Sequence, residues 1–259
     1  MVGKALLARS ILFCSWIVAI AASAADLPST LEKIRPGIVA VGTVQPTRSP
    51  RSLFLGTGFV VGNGRYIVTN RHVVPRVLDF ERKEQLAIFT GRGKQANVRV
   101  ADLVAQDETH DLAVLEISGA PLPALKLGDA AGVREGERFA FTGFPIGMVL
   151  GLYPVTHRGI VSAITPIAIP NVSSRQLTAA QIRRLRNPYT VFQLDAIAYP
   201  GNSGSPLYDP ADGSVVGVVN SVFVKGTKEE ALENPSGIAY AIPISHLQKL
   251  LKKSNITYR

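Results

Sequence analysis

Residues 56–74 read GTGFVVGNGRYIVTNRHVV, and this stretch decides the fold class. Two runs rich in β-branched and aromatic residues, Gly58–Val61 and Tyr66–Thr69, flank a Gly-Asn-Gly-Arg segment at 62–65. An Asn-Gly pair between two such runs is a strong signal for a β-hairpin with a tight turn. The stretch therefore predicts two antiparallel strands, with His72 placed shortly after the second of them.

Short apolar runs of the same kind recur along the rest of the chain, and glycine and proline interrupt them at short intervals. These runs cover residues 37–44, 85–90, 97–104, 112–117, 138–143, 159–164, 191–194, 215–224 and 238–242. Many short strands separated by turn residues are typical of an all-β sandwich or of a pair of β-barrels, and not of alternating β-α units. The predicted fold class is therefore all-β.

Two segments have helical patterns. Residues 178–186 begin with Thr-Ala-Ala-Gln, which fits a capping box. The segment that contains them, between residues 163 and 193, is either a surface decoration or a regulatory or substrate-gating element. In the segment Ser245–Lys253, Leu247, Leu250 and Leu251 lie on one face, and lysines stand near the end, where the helix dipole favours positive charge. We predict a helix in each segment, the second being C-terminal.

The first 24 residues predict a signal peptide. Lys4 and Arg9 give a positive start, residues 11–22 are an apolar run, and residues 22–24 read Ala-Ser-Ala, a small-x-small cleavage pattern. A membrane-spanning helix needs about 20 apolar residues, so a cleaved signal fits better than a retained anchor. We therefore predict a periplasmic or secreted protein with residues 25–259 as one mature domain and no stable membrane anchor.

The composition is that of a globular protein with scattered charge. Hydrophobic residues make up 46% of the chain and charged residues 18%, which excludes an intrinsically disordered chain. Without the signal, 26 basic residues stand against 19 acidic ones, but no basic stripe with interleaved aromatic residues indicates a nucleic-acid partner. The one cysteine, Cys14, lies in the signal, so the mature chain is expected to fold without a disulfide. The sequence has no Cys/His cluster and no phosphate-binding loop, so neither a metal nor a cofactor is predicted.

Three short segments carry residues suited to nucleophilic catalysis. Residues 69–74 read TNRHVV, residues 110–115 read HDLAVL, and residues 201–207 read GNSGSPL. Each segment alone is more typical of a turn or of a structural residue than of a catalytic site. Together they place His72, Asp111 and Ser203 in the order His, Asp, Ser, with separations of 39 and 92 residues, which is the chain order of the double-barrel serine proteases.

The other titratable residues are weaker candidates. His110 adjoins the predicted acid but precedes the strand, so its side chain is expected to point elsewhere. His157 and His246 have no acid and nucleophile in their sequence context. Asp102 and Asp107 lie near the predicted acid, but neither of them begins the Leu-Ala-Val-Leu strand.

These segments resemble the trypsin-like superfamily, and within it the HtrA branch of DegP- and DegS-type proteases. The motifs that carry the resemblance are GTGFVV at 56–61, VTNRHVV at 68–74, DLAVL at 111–115, GFPIG at 143–147, GIVSA at 159–163, QLDA at 193–196, GNSG at 201–204 and GIAYAIP at 237–243. They follow one another in the family's order over most of the chain, which makes the resemblance specific. One departure is Ser205, where the family usually has a second glycine after the nucleophile.

The resemblance implies a fold of two six-stranded antiparallel β-barrels with the active site in the cleft between them. It implies that Ser203 is the nucleophile, His72 the general base and Asp111 the residue that orients the base. The backbone N–H groups of Gly201 and Ser203 are the candidate oxyanion hole. The expected protein is a serine endopeptidase that acts on polypeptides, without the PDZ domain that many relatives carry, and assembly into a homo-oligomer is compatible with it.

The substrate pocket is predicted to be apolar. In trypsin-like enzymes that cut after Lys or Arg, an aspartate stands six residues before the nucleophile, but here Ile197 occupies that position and Ala198 and Tyr199 follow it. Asn220 and Ser221 are expected in the opposite wall, and they also supply no acid. Since such a lining disfavours a buried substrate ammonium, we predict cleavage after small or medium apolar residues.

Two alternatives stay open from the sequence alone. The chain could be a catalytically inactive binding or chaperone-like protein that keeps the protease fold, although the presence of His72, Asp111 and Ser203 argues against it. It could also be a processing enzyme with narrow specificity instead of a quality-control protease, and the sequence does not separate the two.

Overall fold

Two closed β-barrels, each of six antiparallel strands, make up the part of the chain that the computed structural model describes. That part comprises residues 26–93, 95–145, 151–167, 188–220 and 238–258. The prediction of two six-stranded antiparallel barrels with a helix at the end is confirmed, and the sandwich alternative is excluded.

The first barrel contains the hairpin of residues 56–74. Its strands are β1 (Ile38–Val44), β2 (Ser52–Val61), β3 (Tyr66–Asn70), β4 (Gln85–Arg92), β5 (Gln95–Asp107) and β6 (Leu112–Ile117). They are ordered β1-β2-β3-β6-β5-β4, and the pairing of β4 with β1 closes the barrel. Because Asn70 in β3 pairs with Leu112 in β6, the chain that leaves β3 toward His72 lies beside Asp111.

The second barrel repeats this strand order. Its strands are β7 (Arg138–Gly143), β8 (Val155–Pro166), β9 (Thr190–Asp195), β10 (Pro206–Tyr208), β11 (Val215–Asn220) and β12 (Ile238–Pro243). They are ordered β7-β8-β9-β12-β11-β10, and β10 pairs with β7 to close the barrel. The segment between β9 and β10 contains Ser203, so this barrel presents the predicted nucleophile.

Many strand residues are buried on both faces, which explains why several runs are continuously apolar. In β1, Val39 and Val41 face the interior of the first barrel, whereas Ile38 and Ala40 belong to a larger cluster that also contains residues of the second barrel and of the C-terminal helix. A third cluster, which includes Phe141, lies within the second barrel. Burial of a large apolar side chain contributes about 1.5–3 kcal/mol, so the contact between the barrels adds greatly to stability.

Each end of the described chain packs on the barrel that is distant from it in sequence. The helix α1 (Leu27–Ile34) precedes the first barrel, but its Thr30 hydroxyl donates a hydrogen bond of 3.3 Å to the carbonyl of Ala211, in the turn between β10 and β11. The helix α2 (Ile244–Lys253) follows the second barrel and packs against both β11 and β5. The two barrels are therefore tied by exchanged terminal helices as well as by their shared core.

Some elements differ from the sequence prediction. The helix expected at Ser245–Lys253 is present and begins one residue earlier. The strand β10 and the helix α1 were not predicted: β10 has only three residues, and the start signals of α1, Asp26 at the N-cap and Pro28 in the first turn, were not used. The predicted signal peptide, the helix predicted at 178–186 and the end of the run at 215–224 lie outside the described residues. Among the helices that are described, none is long and apolar enough to cross a membrane.

Candidate active site

His72 and Asp111 form a hydrogen-bonded pair in the first barrel. His72 lies in a 3₁₀ turn, Arg71–Val73, that directly follows β3, and Asp111 precedes β6. The Nδ1 atom of His72 is 2.6 Å from Oδ2 of Asp111, and the backbone N–H of His72 donates a 3.0 Å hydrogen bond to Oδ1. Since a carboxylate accepts, Nδ1 carries the proton, and the neutral imidazole keeps Nε2 as an acceptor.

The backbone at Asp111 is unusual, and two hydrogen bonds hold it. Its φ of 55° lies in the left-handed region, which residues other than glycine rarely adopt and which Asp tolerates better than most. The carbonyl oxygen of Asp111 accepts hydrogen bonds from the side-chain amide of Asn70 and from the backbone N–H of Arg71, both at 3.0 Å. Both donors adjoin the 3₁₀ turn, so the acid and the histidine are fixed to each other through the backbone as well as through the side chains.

Asn220 joins the second barrel to this pair. Its side-chain amide, buried at the end of β11, donates a 2.7 Å hydrogen bond to Oδ2 of Asp111. The carboxylate of Asp111, whose side chain is only 9% exposed, thus accepts from three donors, which offsets the cost of burying its charge. The sequence prediction placed Asn220 in a pocket wall, but its amide is directed at the carboxylate.

Ser203 is presented by a tight loop on the second barrel. Three backbone hydrogen bonds from neighbouring residues hold the loop. The N–H of Asn202 donates to the carbonyl of Tyr199, that of Gly204 to Val219, and that of Ser205 to Asn202. Gly201 has a φ of 99°, a conformation that glycine adopts without strain. The loop therefore fixes Ser203 on a backbone that few other residue types could form.

Thr57 in β2 ties this loop to the first barrel. Its backbone N–H donates a 2.8 Å hydrogen bond to the carbonyl of Ser203, and its hydroxyl donates a 2.7 Å bond to the carbonyl of Gly201. The same hydroxyl accepts from the N–H of Phe144, which follows β7. A Cβ added to Gly56, the preceding residue, would lie 2.9 Å from the carbonyl oxygen of Ser203 and 2.7 Å from the side chain of Val73. The structure therefore brings Ser203 and the His72 turn to the same junction between the barrels.

Ser205, the departure from the family pattern, has a physical explanation. Its side chain is fully buried and packs against Gly143 at the end of β7, where an added Cβ would lie 2.1 Å from the Ser205 hydroxyl oxygen. Because Gly143 has no side chain, it leaves room for Ser205, which stands two positions after Ser203.

Three of the predicted pocket residues lie together in one segment. Ile197, Ala198 and Tyr199 are half-buried in the segment that links β9 to the Ser203 loop, and Ala198 packs against the core of the second barrel. Ser221 lies outside the described residues. The ring of His157, on β8, stacks on Phe141 at 4.8 Å and lies 6.1 Å from the ring of Tyr199, a neighbour that the sequence did not indicate. Burial lowers the pKa of His157, so this ring is uncharged at neutral pH.

The arrangement as a whole is suited to proton transfer from a hydroxyl. An imidazole oriented by a buried carboxylate can accept a proton at Nε2 and become an imidazolium that the carboxylate stabilises. Within the described residues, no group of three His, Cys, Asp or Glu side chains is arranged to hold a metal ion.

Comparisons with known proteins agree with this geometry. The profile of the trypsin-like peptidase domain matches residues 56–218. A probable periplasmic serine endoprotease, DegP-like, from Halomonas elongata is 33% identical over 191 residues, which are 73% of this chain and 33% of the relative. A protein of the same description from Pseudomonas fluorescens is 32% identical over 209 residues, which are 78% of this chain and 36% of the relative. The chain thus spans about a third of the length of these relatives.

The solved structure of the HtrA-type protease AlgW with a tripeptide is also similar. It has a TM-score of 0.64 and 26% identity, over 88% of this chain and 63% of that chain. Together with the DegP-like relatives, this match confirms the HtrA resemblance inferred from the sequence motifs.

Proposed function

We propose that this chain, because it belongs to the trypsin-like peptidase family, is a serine endopeptidase that hydrolyses peptide bonds with Ser203, His72 and Asp111. The observation that carries the proposal is the 2.6 Å contact between Nδ1 of His72 and Oδ2 of Asp111, formed at the same barrel junction as the Ser203 loop. A serine hydroxyl is a weak nucleophile at neutral pH, and such a pair is what activates it.

In the proposed reaction, Nε2 of His72 accepts the proton of the Ser203 hydroxyl as its oxygen attacks the peptide carbonyl. The same proton then passes to the leaving amine, and the acyl-enzyme is hydrolysed by water through the reverse steps. The carboxylate of Asp111 holds Nδ1 in the protonated form and stabilises the imidazolium. Asn220 contributes by holding Oδ2 of Asp111 from the opposite barrel, so the acid cannot rotate away.

The proposed oxyanion hole consists of the backbone N–H groups of Gly201 and Ser203. The hydrogen bond from the Thr57 hydroxyl to the carbonyl of Gly201 supports this assignment, because it holds the Gly201–Asn202 peptide, which lies between the two peptides that carry these N–H groups. Loss of one oxyanion donor typically lowers the rate by about 10²–10³-fold.

A fluorophosphonate probe tests the proposed function directly. Such a probe reacts with a serine only when a neighbouring base activates it, so we expect the purified protein to be labelled at Ser203, as identified by mass spectrometry of the digested protein. The Ser203→Ala variant should take no label. The matched control is Ser205→Ala, which removes a buried hydroxyl two residues away and should keep the label. A wild-type protein that folds but is never labelled would favour the inactive binding or chaperone-like alternative.

We also propose that cleavage occurs after small or medium apolar residues. Ile197, Ala198 and Tyr199 present an uncharged surface beside the nucleophile loop, and the neighbouring ring of His157 is uncharged at neutral pH. A pocket of this kind discriminates by only about 1–3 kcal/mol per methylene, so the preference should be graded. The cleavage profile of a peptide library should show Val, Ala and Leu before the cut bond. Dominant cleavage after Lys or Arg would contradict this assignment of the pocket.

The proposed substrates are polypeptides, and the proposed compartment is the periplasm, because the relatives named above are periplasmic endoproteases. The predicted signal peptide supports export. Assembly into a homo-oligomer remains a proposal, and so does secretion beyond the periplasm.

A further inference from the structure

A cluster of three aromatic rings and one carboxylate lies next to Asp111 and takes no part in the proposed chemistry. It consists of Asp107, His110, Tyr189 and His246. The rings of His110 and His246 stack with centroids 3.9 Å apart at an angle of 26°. The ring of Tyr189 lies edge-on to both, 4.6 Å from His110 and 5.2 Å from His246.

Asp107 builds the turn that leads to Asp111. Its Oδ1 accepts hydrogen bonds from the backbone N–H groups of Thr109 and His110, and its Oδ2 is 2.6 Å from Nδ1 of His110. The residue after His110 is Asp111, whose left-handed backbone directs its carboxylate at His72. Any rotation of this turn therefore moves the acid relative to the histidine.

The other half of the stack is anchored elsewhere in the fold. His246 lies in the first turn of α2, and the helix is held by the fully buried side chains of Ile244, Leu247 and Leu251. Because α2 packs against both β5 and β11, its position depends on the two barrels together. The ring of His246 is thus a fixed surface against which His110 rests.

The charges around the stack favour contact and not repulsion. Burial first, and then the neighbouring His110 and Lys249, lower the pKa of His246 to about 4, with Asp107 opposing them. Burial alone would raise the pKa of Asp107, but its hydrogen bonds from His110 and Thr109 hold that pKa below its ordinary value. At neutral pH an uncharged His246 therefore faces a His110 that is paired with a carboxylate, and Tyr189 covers the edge of both rings.

We propose that His246 is a positioning residue: by stacking on His110 it clamps the Asp107–Asp111 turn, and so fixes the angle at which Asp111 meets His72. The inference rests on the proposed function in one respect, namely that Asp111 serves as the orienting acid. It gives the C-terminal helix a part in the geometry of the His72–Asp111 pair, which lies on the first barrel.

Two substitutions at His246 test the clamp. His246→Ala removes the stacking surface, and His246→Phe restores a flat ring that never becomes charged. We expect His246→Ala to lower kcat/KM by about 10-fold, because a small misplacement of a catalytic group is costly. The acidic limb of its pH profile should move to lower pH, since a misdirected carboxylate stabilises the imidazolium less. His246→Phe should recover most of the rate and return the limb toward its wild-type midpoint.

A second measurement separates positioning from turnover. In the Ser203→Ala protein, the proton shared by His72 and Asp111 should give a far-downfield NMR resonance, which His246→Ala should weaken or shift and His246→Phe should restore. This readout needs no hydrolysis, so it still tests the clamp if the proposed endopeptidase activity fails.

Leu250→Ala is the matched control on the same helix, because it removes a buried side chain one turn after His246 and leaves both stacked rings in place. It should lower Tm while leaving the pH profile and the downfield resonance unchanged. The proposal is overturned if His246→Ala behaves in the same way as Leu250→Ala, with a lower Tm only, or if His246→Phe fails to restore either readout.

Discussion

We expect the Asp111→Asn variant to lose about 10⁴-fold in kcat for peptide hydrolysis while keeping its fold. In the wild type, Oδ1 accepts from the backbone N–H of His72, and Oδ2 accepts from Nδ1 of His72 and from the amide of Asn220. An asparagine has only one side-chain oxygen, so its NH₂ group faces a donor in either orientation. The favourable response is a change of tautomer, in which Nδ1 of His72 accepts and Nε2 holds the proton. That histidine cannot deprotonate Ser203.

The measurement is steady-state hydrolysis of a peptide substrate, with circular dichroism as the test of fold. Asparagine tolerates the left-handed backbone at position 111, so the loss should not come from strain. Asp102→Asn is the matched control, since this exposed carboxylate on β5 lies in the same barrel and should leave kcat unchanged. A fully active Asp111→Asn protein would remove Asp111 from the proposed mechanism.

The Gly204→Ala substitution should destabilise the protein by roughly 3 kcal/mol and lower kcat/KM by about 10²-fold. Gly204 follows the nucleophile with a φ of 88°, and an added Cβ would lie 2.0 Å from the carbonyl oxygen of Thr57 and 2.5 Å from the hydroxyl of Thr69. The nearest obstacle is backbone in the rigid β2 strand, so the loop must move instead. Movement of the loop breaks the Thr57 contacts that hold Ser203 and Gly201.

Gly136→Ala is a close control for this variant. Gly136 has a φ of 86°, but an added Cβ would meet nothing within 4 Å. Its cost should be the backbone strain alone, about 1 kcal/mol, with hydrolysis unchanged. Chemical denaturation and peptide hydrolysis measure both effects. If the two alanine variants were equally stable and equally active, the close approach of Thr57 to the nucleophile loop would have no energetic importance.

Local sequence patterns predicted most of the fold. The limits of β6 and β7 were predicted correctly, because each is a short, mainly apolar run flanked by polar, glycine or proline residues. The helix α2 was predicted from the spacing of its leucines. The strand β10 is too short to have a period. The helix α1 was missed although it begins with a typical N-cap residue, Asp26, and has a proline in its first turn.

The site was predictable to the extent that its chemistry lies in short motifs. His72, Asp111 and Ser203 were predicted from their order and their flanking residues, and the hydrogen bond between His72 and Asp111 is consistent with that prediction. The hydrogen bond from Asn220 to Asp111 joins residues 109 positions apart. The stack of His110 on His246 joins the turn before β6 of the first barrel to the helix that follows the second barrel. Neither has a sequence pattern, since each depends on how β11 and α2 pack against the first barrel.

The exchanged terminal helices bear on the order in which the proposed site can form as the chain folds. The strands that flank His72 and Asp111 belong to the first barrel, whereas Asn220 and α2 come from the second half of the chain. Until β11 and α2 pack against the first barrel, the turn before Asp111 lacks its contact with His246, the Asp111 carboxylate lacks the hydrogen bond from Asn220, and α1 lacks its contact with the turn between β10 and β11. A chain in which only the first barrel has folded therefore holds the proposed acid and base without the arrangement that hydrolysis requires. The topology thus couples the assembly of the proposed site to the completion of both barrels.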